Sequence, residues 1–100
     1  MKKIISKQII IKQNENNNFF TIYHRKRIIM IDAEKFNVFK DEVLVAIKCN
    51  YLFVYEISNN DITRRYTIKI NKEFLNTIVY IDKKRYLVDF ECKIACLGKV

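Results

Sequence analysis

The densest apolar sequence in this chain is VLVAIKCNYLFVYEI, residues Val43–Ile57. A membrane-spanning helix needs about 20 largely apolar residues, whereas this run is shorter and is interrupted by Lys48, Asn50 and Glu56. Eight of its positions are Val, Ile, Tyr or Phe, which lose rotamer freedom in a helix and pack well on a pleated surface. The run therefore predicts β-structure rather than a buried helix or a membrane span.

The length of this run, and the sequence after it, indicate two or three central antiparallel strands. The run is long for one strand, so we expect a tight turn near Lys48–Tyr51, where Asn50 is best suited to a left-handed conformation. The polar sequence SNND, Ser58–Asp61, is typical of a hairpin turn. After it, Ile62–Ile70 shows the two-residue periodicity of a strand.

The N-terminal third predicts a long hairpin. Lys3–Lys12 is expected to form a first strand, followed by a polar NENNN loop. Phe19–Ile31 is expected to pair with it, but its apolar residues change phase midway. A β-bulge or break near His24–Arg27 would restore one buried face. It would also place the HRKR run at an irregular, exposed point of the sheet.

One short helix is expected over Asp32–Glu42. Its first residue can cap it, and Phe36, Phe39 and Val43 fall at helical spacing, so the phenylalanines would lie on the sheet. One further helical turn is expected within Asn71–Thr77.

The C-terminal residues predict a second hairpin, in which Ile78–Ile81 and Tyr86–Leu97 flank Asp82–Arg85. The fold class is thus mainly β with one short helix. We expect one domain over residues 1–100, with an antiparallel sheet of five to seven strands in a partial barrel or a sheet–helix sandwich. The residues expected to be mostly buried are Phe36, Phe39, Val45, Ile47, Phe53, Tyr66, Ile68, Val88, Phe90 and Ile94.

Composition excludes several classes of site. The chain has no proline and a single glycine, Gly98. Phosphate-cradling loops, dinucleotide fingerprints and nucleophile elbows all need glycine where the backbone approaches a ligand or turns sharply. Those nucleotide-binding and hydrolase classes are therefore excluded. The abundance of Ile, Lys, Asn, Phe and Tyr indicates an AT-rich genome.

The net charge of +8 is unevenly distributed. Residues 1–31 carry seven basic and one acidic side chain, residues 32–61 three and six, and residues 62–100 nine and four. The ends are therefore basic and the middle is acidic. A surface that faces an anionic partner and ordinary charge that keeps a small protein in solution both fit this pattern.

Three basic runs have aromatic neighbours: YHRKR at Tyr23–Arg27, RRY at Arg64–Tyr66 and KKRY at Lys83–Tyr86. Lysine and arginine neutralise phosphates, and aromatic rings stack on unpaired bases. Solvated surface charge is the alternative interpretation. The candidate nucleic-acid-binding residues are Tyr23, Arg25, Lys26, Arg27, Arg64, Arg65, Lys83, Lys84, Arg85 and Tyr86.

His24 is the single histidine. It could serve a metal-independent nuclease as general acid or base, but no second titrating partner is evident. An exposed loop or bulge residue is the alternative. We therefore expect no catalytic residue and no enzyme activity.

The cysteines predict neither a metal site nor a disulfide. Cys92 and Cys96 would lie about 13 Å apart on one extended strand, too far for a disulfide or a shared zinc ion. Together with Cys49 they are expected to be reduced thiols in a cytoplasmic protein. No signal peptide is expected, because polar residues interrupt KKIISKQIII. No cofactor is expected.

The leading functional hypothesis is non-enzymatic binding of RNA, single-stranded DNA or a nucleoprotein through the basic loops. The second is a protein–protein interaction module, such as a small phage or mobile-element inhibitor that docks onto a host nucleoprotein machine, for example a CRISPR effector. The third is a small metal-independent nuclease that uses His24.

Overall fold

The computed structural model describes residues 3–5, 9–14, 19–59, 61–71 and 76–100. The described residues form strands, turns and loops, and no helix. The strands, in chain order, are β1 Lys3–Ile5, β2 Ile9–Gln13, β3 Phe19–His24, β4 Arg27–Asp32, β5 Lys35–Phe39, β6 Val43–Lys48, β7 Tyr51–Ile57, β8 Ile62–Lys69, β9 Asn76–Ile81, β10 Lys84–Asp89 and β11 Ile94–Lys99.

These strands form three antiparallel sheets, none of which closes into a barrel. The first sheet has the order β1-β2-β3-β4, the central sheet β5-β6-β7-β8 and the third sheet β11-β10-β9. The antiparallel prediction is confirmed. The predicted partial barrel, sheet–helix sandwich and count of five to seven strands are wrong.

The central sheet is covered on both faces, and β6 shows this most clearly. Leu44 and Ala46 belong to a core shared with the first sheet, whereas Val43, Val45 and Ile47 belong to a core shared with the third sheet. Both faces of a strand in a middle layer must be apolar, which explains the unbroken run VLVAI. The molecule is therefore a stack of three sheets.

The central strands were predicted correctly. β6, β7 and β8 pair in succession, for example Val45 with Val54 and Val54 with Tyr66. The turn between β6 and β7 lies at Cys49–Asn50. It is Cys49 that has the positive φ, 56°, so the assignment of the left-handed conformation to Asn50 is wrong.

The Ser58–Asp61 turn is confirmed, because the Ser58 N–H donates to the carbonyl oxygen of Asp61 over 2.9 Å.

The predicted helix over Asp32–Glu42 is wrong, because Lys35–Phe39 is strand β5. Phe36 and Val38 contact the first core, and Phe39 contacts the second. Spacing of i and i+3 brings two side chains to one side of a helix but to opposite faces of a strand. Since both faces of the central sheet are buried, the strand can bury both phenylalanines. Of the other helical prediction, residues 72–75 lie outside the described residues, and Asn76 begins β9.

Two expected long strands are each divided in two. Lys3–Lys12 forms β1 and β2, which pair with each other. Tyr86–Leu97 forms most of β10 and β11, which are joined through residues 90–93. The break expected near His24–Arg27 is present, but as the turn Arg25–Lys26 between β3 and β4. Of the expected NENNN loop, residues 15–18 lie outside the described residues.

The predicted core is only partly correct. Phe36, Val45, Ile47 and Val88 are buried, and Phe90 is 36% exposed at a turn. The residues of intermediate burial are Phe39, Phe53, Tyr66, Ile68 and Ile94.

Candidate nucleic-acid interface

Four hairpin turns lie at one end of the molecule, which we call the turn end: residues 25–26, 40–42, 58–61 and 82–83. The Ile57 N–H donates to the carbonyl oxygen of Glu42 over 2.9 Å, which joins the two turns of the central sheet. His24 in the first sheet contacts Ser58, and Tyr86 in the third sheet contacts Glu42. The two predicted basic turns therefore lie at the same end.

The first basic turn is anchored by the residues on either side of it. His24 is fully buried, and its Nε2 donates to the Ser58 carbonyl oxygen over 2.6 Å. Arg27 forms an ion pair and hydrogen bond with Asp61. Between them, Arg25 and Lys26 are exposed and form no ion pair with a described residue. This turn presents two available cations.

The burial of His24 corrects the expectation of an exposed loop residue. Alternation along β3 explains it, because Phe20, Ile22 and His24 share the inward face. A general base must reach the proton that it abstracts, and a buried imidazole that binds a carbonyl oxygen does not reach a substrate. The nuclease hypothesis thus loses the residue on which it depended.

The second basic turn presents fewer available groups than the sequence suggested. Tyr86 is 1% exposed, and its hydroxyl donates to Glu42 Oε2 over 3.0 Å, so its ring does not stack on a base. The Lys84 Nζ lies 3.6 Å from Glu42 Oε1. Lys83 and Arg85 are exposed and have no ion pair with a described residue.

The third basic run lies on β8, at the edge of the central sheet. Arg65 pairs with Glu56, with Nη2 2.7 Å from Oε1. The Arg64 guanidinium lies 5.8 Å from the centre of the Phe53 ring. These arginines are exposed, but their charged groups already contact the protein.

The two basic turns do not form one continuous basic surface. They belong to the two outer sheets, about 20 Å apart at the usual spacing of stacked sheets. The turns of the central sheet lie between them and carry Asp41, Glu42 and Asp61. An anionic strand that joined both turns would have to pass these carboxylates.

The outer face of the first sheet combines the aromatic and basic groups that a single strand needs. Tyr23 is 38% exposed there, between its cross-strand neighbours Ile10 and Ile28. The Lys12 Nζ lies 5.7 Å from the centre of the Tyr23 ring. Lys12 was not predicted as a site residue. It lies one residue after Ile11 and three after Ile9, both buried, and such odd offsets put a side chain on the opposite face of a strand. The sequence therefore already indicates that Lys12 faces outward.

This sheet also carries the largest share of the excess charge. Among its described residues one is acidic, Asp32, whose carboxylate pairs with Lys48 at 3.2 Å. Its basic residues are Lys3, Lys12, Arg25, Lys26 and Arg27. Five cations and one anion leave a net charge of +4 on the described part of the sheet. The first sheet is therefore the most strongly basic layer.

The outer face of the third sheet also exposes apolar side chains. Ile78 and Tyr80 on β9 and Leu97 on β11 are exposed, and Arg85 lies directly across from Tyr80. This face is separated from the first sheet by the whole thickness of the central sheet.

The cysteines do not converge. Cys92 is buried, whereas Cys49 and Cys96 are exposed, and all three are free thiols. No cluster of three or more His, Cys, Asp or Glu side chains able to hold a metal ion occurs among the described residues. Nor does any helix long and apolar enough to cross a membrane occur in that part of the chain.

Comparisons with protein-family models, with curated proteins and with solved structures find no match to this chain.

Proposed function

We propose that this protein binds single-stranded nucleic acid, RNA or DNA, on the outer face of its first sheet, without catalysis. In this proposal Tyr23 stacks on a base, while Lys12, Arg25 and Lys26 contact phosphates. The observation that carries it is the exposed Tyr23 ring on an open four-stranded sheet, with the exposed cations Arg25 and Lys26 on the same layer and the Lys12 ammonium beside the ring. The free thiols fit a cytoplasmic protein.

The chemistry of an open sheet face suits single strands better than duplexes. Aromatic side chains on such faces stack on the splayed bases of single strands in several kinds of RNA-binding domain. Stacking tolerates any base because every base has a π-face, and it contributes about 1–3 kcal/mol per base. The neighbouring Ile10 and Ile28 offer apolar surface to adjacent bases or sugars.

The proposal narrows the surface expected from the sequence. Of the ten candidate residues, Tyr23, Arg25 and Lys26 remain at this site, and Lys12 is added. Lys83 and Arg85 lie on the opposite outer layer and supply only long-range attraction. Tyr86 is buried, whereas Arg27, Arg65 and Lys84 are paired with carboxylates. The Arg64 guanidinium contacts the Phe53 ring.

The test is binding of a labelled single-stranded oligonucleotide by two matched variants. Tyr23→Ala removes the ring from the proposed face, and Tyr80→Ala removes an exposed ring from the third sheet. We expect Tyr23→Ala to weaken binding by about 5- to 150-fold, the equivalent of one lost stacking contact. Tyr80→Ala should bind like the wild type. Equal effects of the two variants would contradict the proposal.

A protein–protein interaction module is the second candidate, supported by the exposed Ile78 and Tyr80 on the third sheet. Exposed apolar patches mark protein-binding surfaces. An inhibitor of a host nucleoprotein machine, such as a CRISPR effector, would use such a patch. This candidate predicts that Ile78→Asp with Tyr80→Asp abolishes binding to that machine, while Tyr23→Ala has no effect. If Tyr23→Ala alone abolished binding to that machine, the result would favour nucleic-acid binding as the function.

A further inference from the structure

Strand β4 leaves one edge of the first sheet open. It pairs with β3 and with no other described strand. The two strands are joined by the two-residue turn Arg25–Lys26, so the residues that close it, His24 and Arg27, form a hydrogen-bonded pair. Because such pairs alternate along an antiparallel ladder, Ile28, Met30 and Asp32 direct their N–H and C=O groups away from β3.

Strand β9, at one edge of the third sheet, also adjoins a two-residue turn, but backbone groups that it directs outward are covered. The turn Asp82–Lys83 joins β9 to β10 in the same way, so Tyr80 directs its backbone groups outward from β9. There the Tyr66 hydroxyl donates to the Tyr80 carbonyl oxygen at 2.7 Å and lies 3.3 Å from the Tyr80 N–H. No described residue does this for Ile28, Met30 or Asp32.

The edges of the central sheet are also blunted. β8 carries Arg64, Arg65 and Lys69 together with a register irregularity, both of which discourage pairing with another chain. On β5 the Val38 N–H is bound by the Asn37 side-chain oxygen over 2.9 Å. β4, in contrast, has an uninterrupted apolar centre without lysine or proline.

The apolar centre of β4 is also its most exposed part. Ile28 is 68% exposed and Met30 56% exposed, the two highest values among the exposed isoleucine and methionine side chains of the described residues. A flat, apolar strand edge of this kind is a template for a further strand.

The charges around β4 are complementary to those of an antiparallel copy of β4. The segment reads RKR-IIMI-DAE, residues 25–34, and is basic before the apolar centre and acidic after it. Arg27 and Asp32 are already paired within the protein, so Arg25, Lys26 and Glu34 are the charges that face a second copy. Glu34 Oε1 also accepts a hydrogen bond from the Cys49 N–H over 2.9 Å. Antiparallel pairing places the basic end of each copy beside the acidic end of the other. Parallel pairing would place like charges together, which is unfavourable.

We propose that β4 pairs antiparallel with β4 of a second copy of this protein, joining the two first sheets into one eight-stranded sheet. The pairing is centred on Met30, which lies opposite Met30 of the second copy. In this register Ile28 lies opposite Asp32 of the second copy. The outward N–H and C=O groups of Ile28, Met30 and Asp32 can therefore all form hydrogen bonds with the second copy. Lys26 then lies beside Glu34 of the second copy. The pairing uses Lys26, to which the proposed function assigns a phosphate contact, so the dimer is measured without nucleic acid.

The first test is the concentration dependence of mass by analytical ultracentrifugation. We expect a reversible dimer that weakens with salt, since the Lys26–Glu34 pairs are exposed. Met30→Pro removes an outward N–H that has no described partner, and Met30→Lys places a lysine on the edge. Each should raise the dimer dissociation constant by about tenfold or more. Ile10→Lys, on the same face but within the sheet, should leave it nearly unchanged.

The second test exchanges the charges. Lys26→Glu and Glu34→Lys should each weaken the dimer, and the double variant should restore it. A wild-type protein that stays monomeric up to about 1 mM would overturn the proposal. So would a dimer that is insensitive to both Met30 variants, or a β4 edge that binds only an extended peptide from another protein.

Discussion

The Nε2 of His24 in the first sheet donates a hydrogen bond to the main-chain carbonyl oxygen of Ser58 in the central sheet, over 2.6 Å. The imidazole is fully buried, and Arg25 follows it directly in the exposed turn. The same histidine therefore fastens two layers and positions the turn that carries the proposed phosphate contacts.

The first prediction concerns this contact. His24→Ala should lower the free energy of unfolding by about 2–4 kcal/mol, because it leaves a cavity and an unpaired carbonyl oxygen. Urea denaturation of His24→Ala and of the exposed neighbour Arg25→Ala provides the comparison. A His24→Ala loss below about 0.5 kcal/mol, the usual range for surface changes, would show that the imidazole does not fasten the layers.

The second prediction concerns the middle layer. Leu44→Ala should cost about 2–5 kcal/mol, since Leu44 is buried between the first and central sheets. Phe90→Ala should cost clearly less, because this ring is 36% exposed at a turn, where the Lys35 Nζ lies 5.1 Å from the ring centre. Chemical denaturation of both variants checks the order. The reverse order would mean that the two cores are assigned wrongly.

Much of the central sheet could be predicted from local sequence. The β-branched run of β6, the polar SNND turn and the periodicity of β8 each depend on neighbouring residues. The spacing of Phe36 and Phe39 is ambiguous, since it fits one side of a helix or the two faces of a strand buried on both sides. Only the presence of sheets above and below decides between them.

The candidate site was harder to predict because exposure depends on distant residues. Tyr23 and Tyr86 both adjoin basic runs, yet one is exposed and the other binds Glu42, 44 residues away in the chain. Alternation was a usable signal: Tyr86 shares a face with Val88, and His24 shares one with Ile22. The basic residues beside Tyr86 and His24 favoured exposure instead, so the alternation was not applied to these two residues.

The third prediction uses the buried Tyr86. Burial, followed by the hydrogen bond to Glu42 and the charge of that carboxylate, raises the pKa of Tyr86 above its ordinary value of 10.0. The unfolded chain therefore loses this proton near pH 10 while the folded protein keeps it. The free energy of unfolding should fall as pH rises above 10, with a contribution from Tyr86 of up to about 1.4 kcal/mol per pH unit.

Tyr86→Phe removes this contribution, and its stability should depend less steeply on pH in the same range. Denaturation from pH 8 to 11 measures both curves. Curves of equal slope would contradict the burial of the Tyr86 hydroxyl. Below pH 9 the variant should also be less stable by about 1.5–3 kcal/mol, the contribution of a hydrogen bond to a charged group.

The fourth prediction concerns the thiols. Cys49 and Cys96 should react quickly with a thiol reagent in the folded protein, whereas Cys92 should react only as the structure opens. Two thiols per molecule should react quickly in native buffer, and three should react in denaturant. The matched variants are Cys92→Ser, which should keep two fast equivalents, and Cys49→Ser, which should keep one. Fewer than three thiols in denaturant would indicate a disulfide.

The central claim is that the first sheet binds single-stranded nucleic acid, and the salt dependence of affinity tests it most directly. The measurement compares the wild type with two variants that each lose three exposed cations: Lys12, Arg25 and Lys26→Gln on the first sheet, and Lys83, Arg85 and Lys99→Gln on the third. Each lost phosphate contact on a single strand flattens the slope of log affinity against log salt by about 0.7. We predict a change of about 2 for the first variant and little change for the second. Equal losses of affinity and slope in both variants would contradict the claim, because binding would then depend on total charge alone.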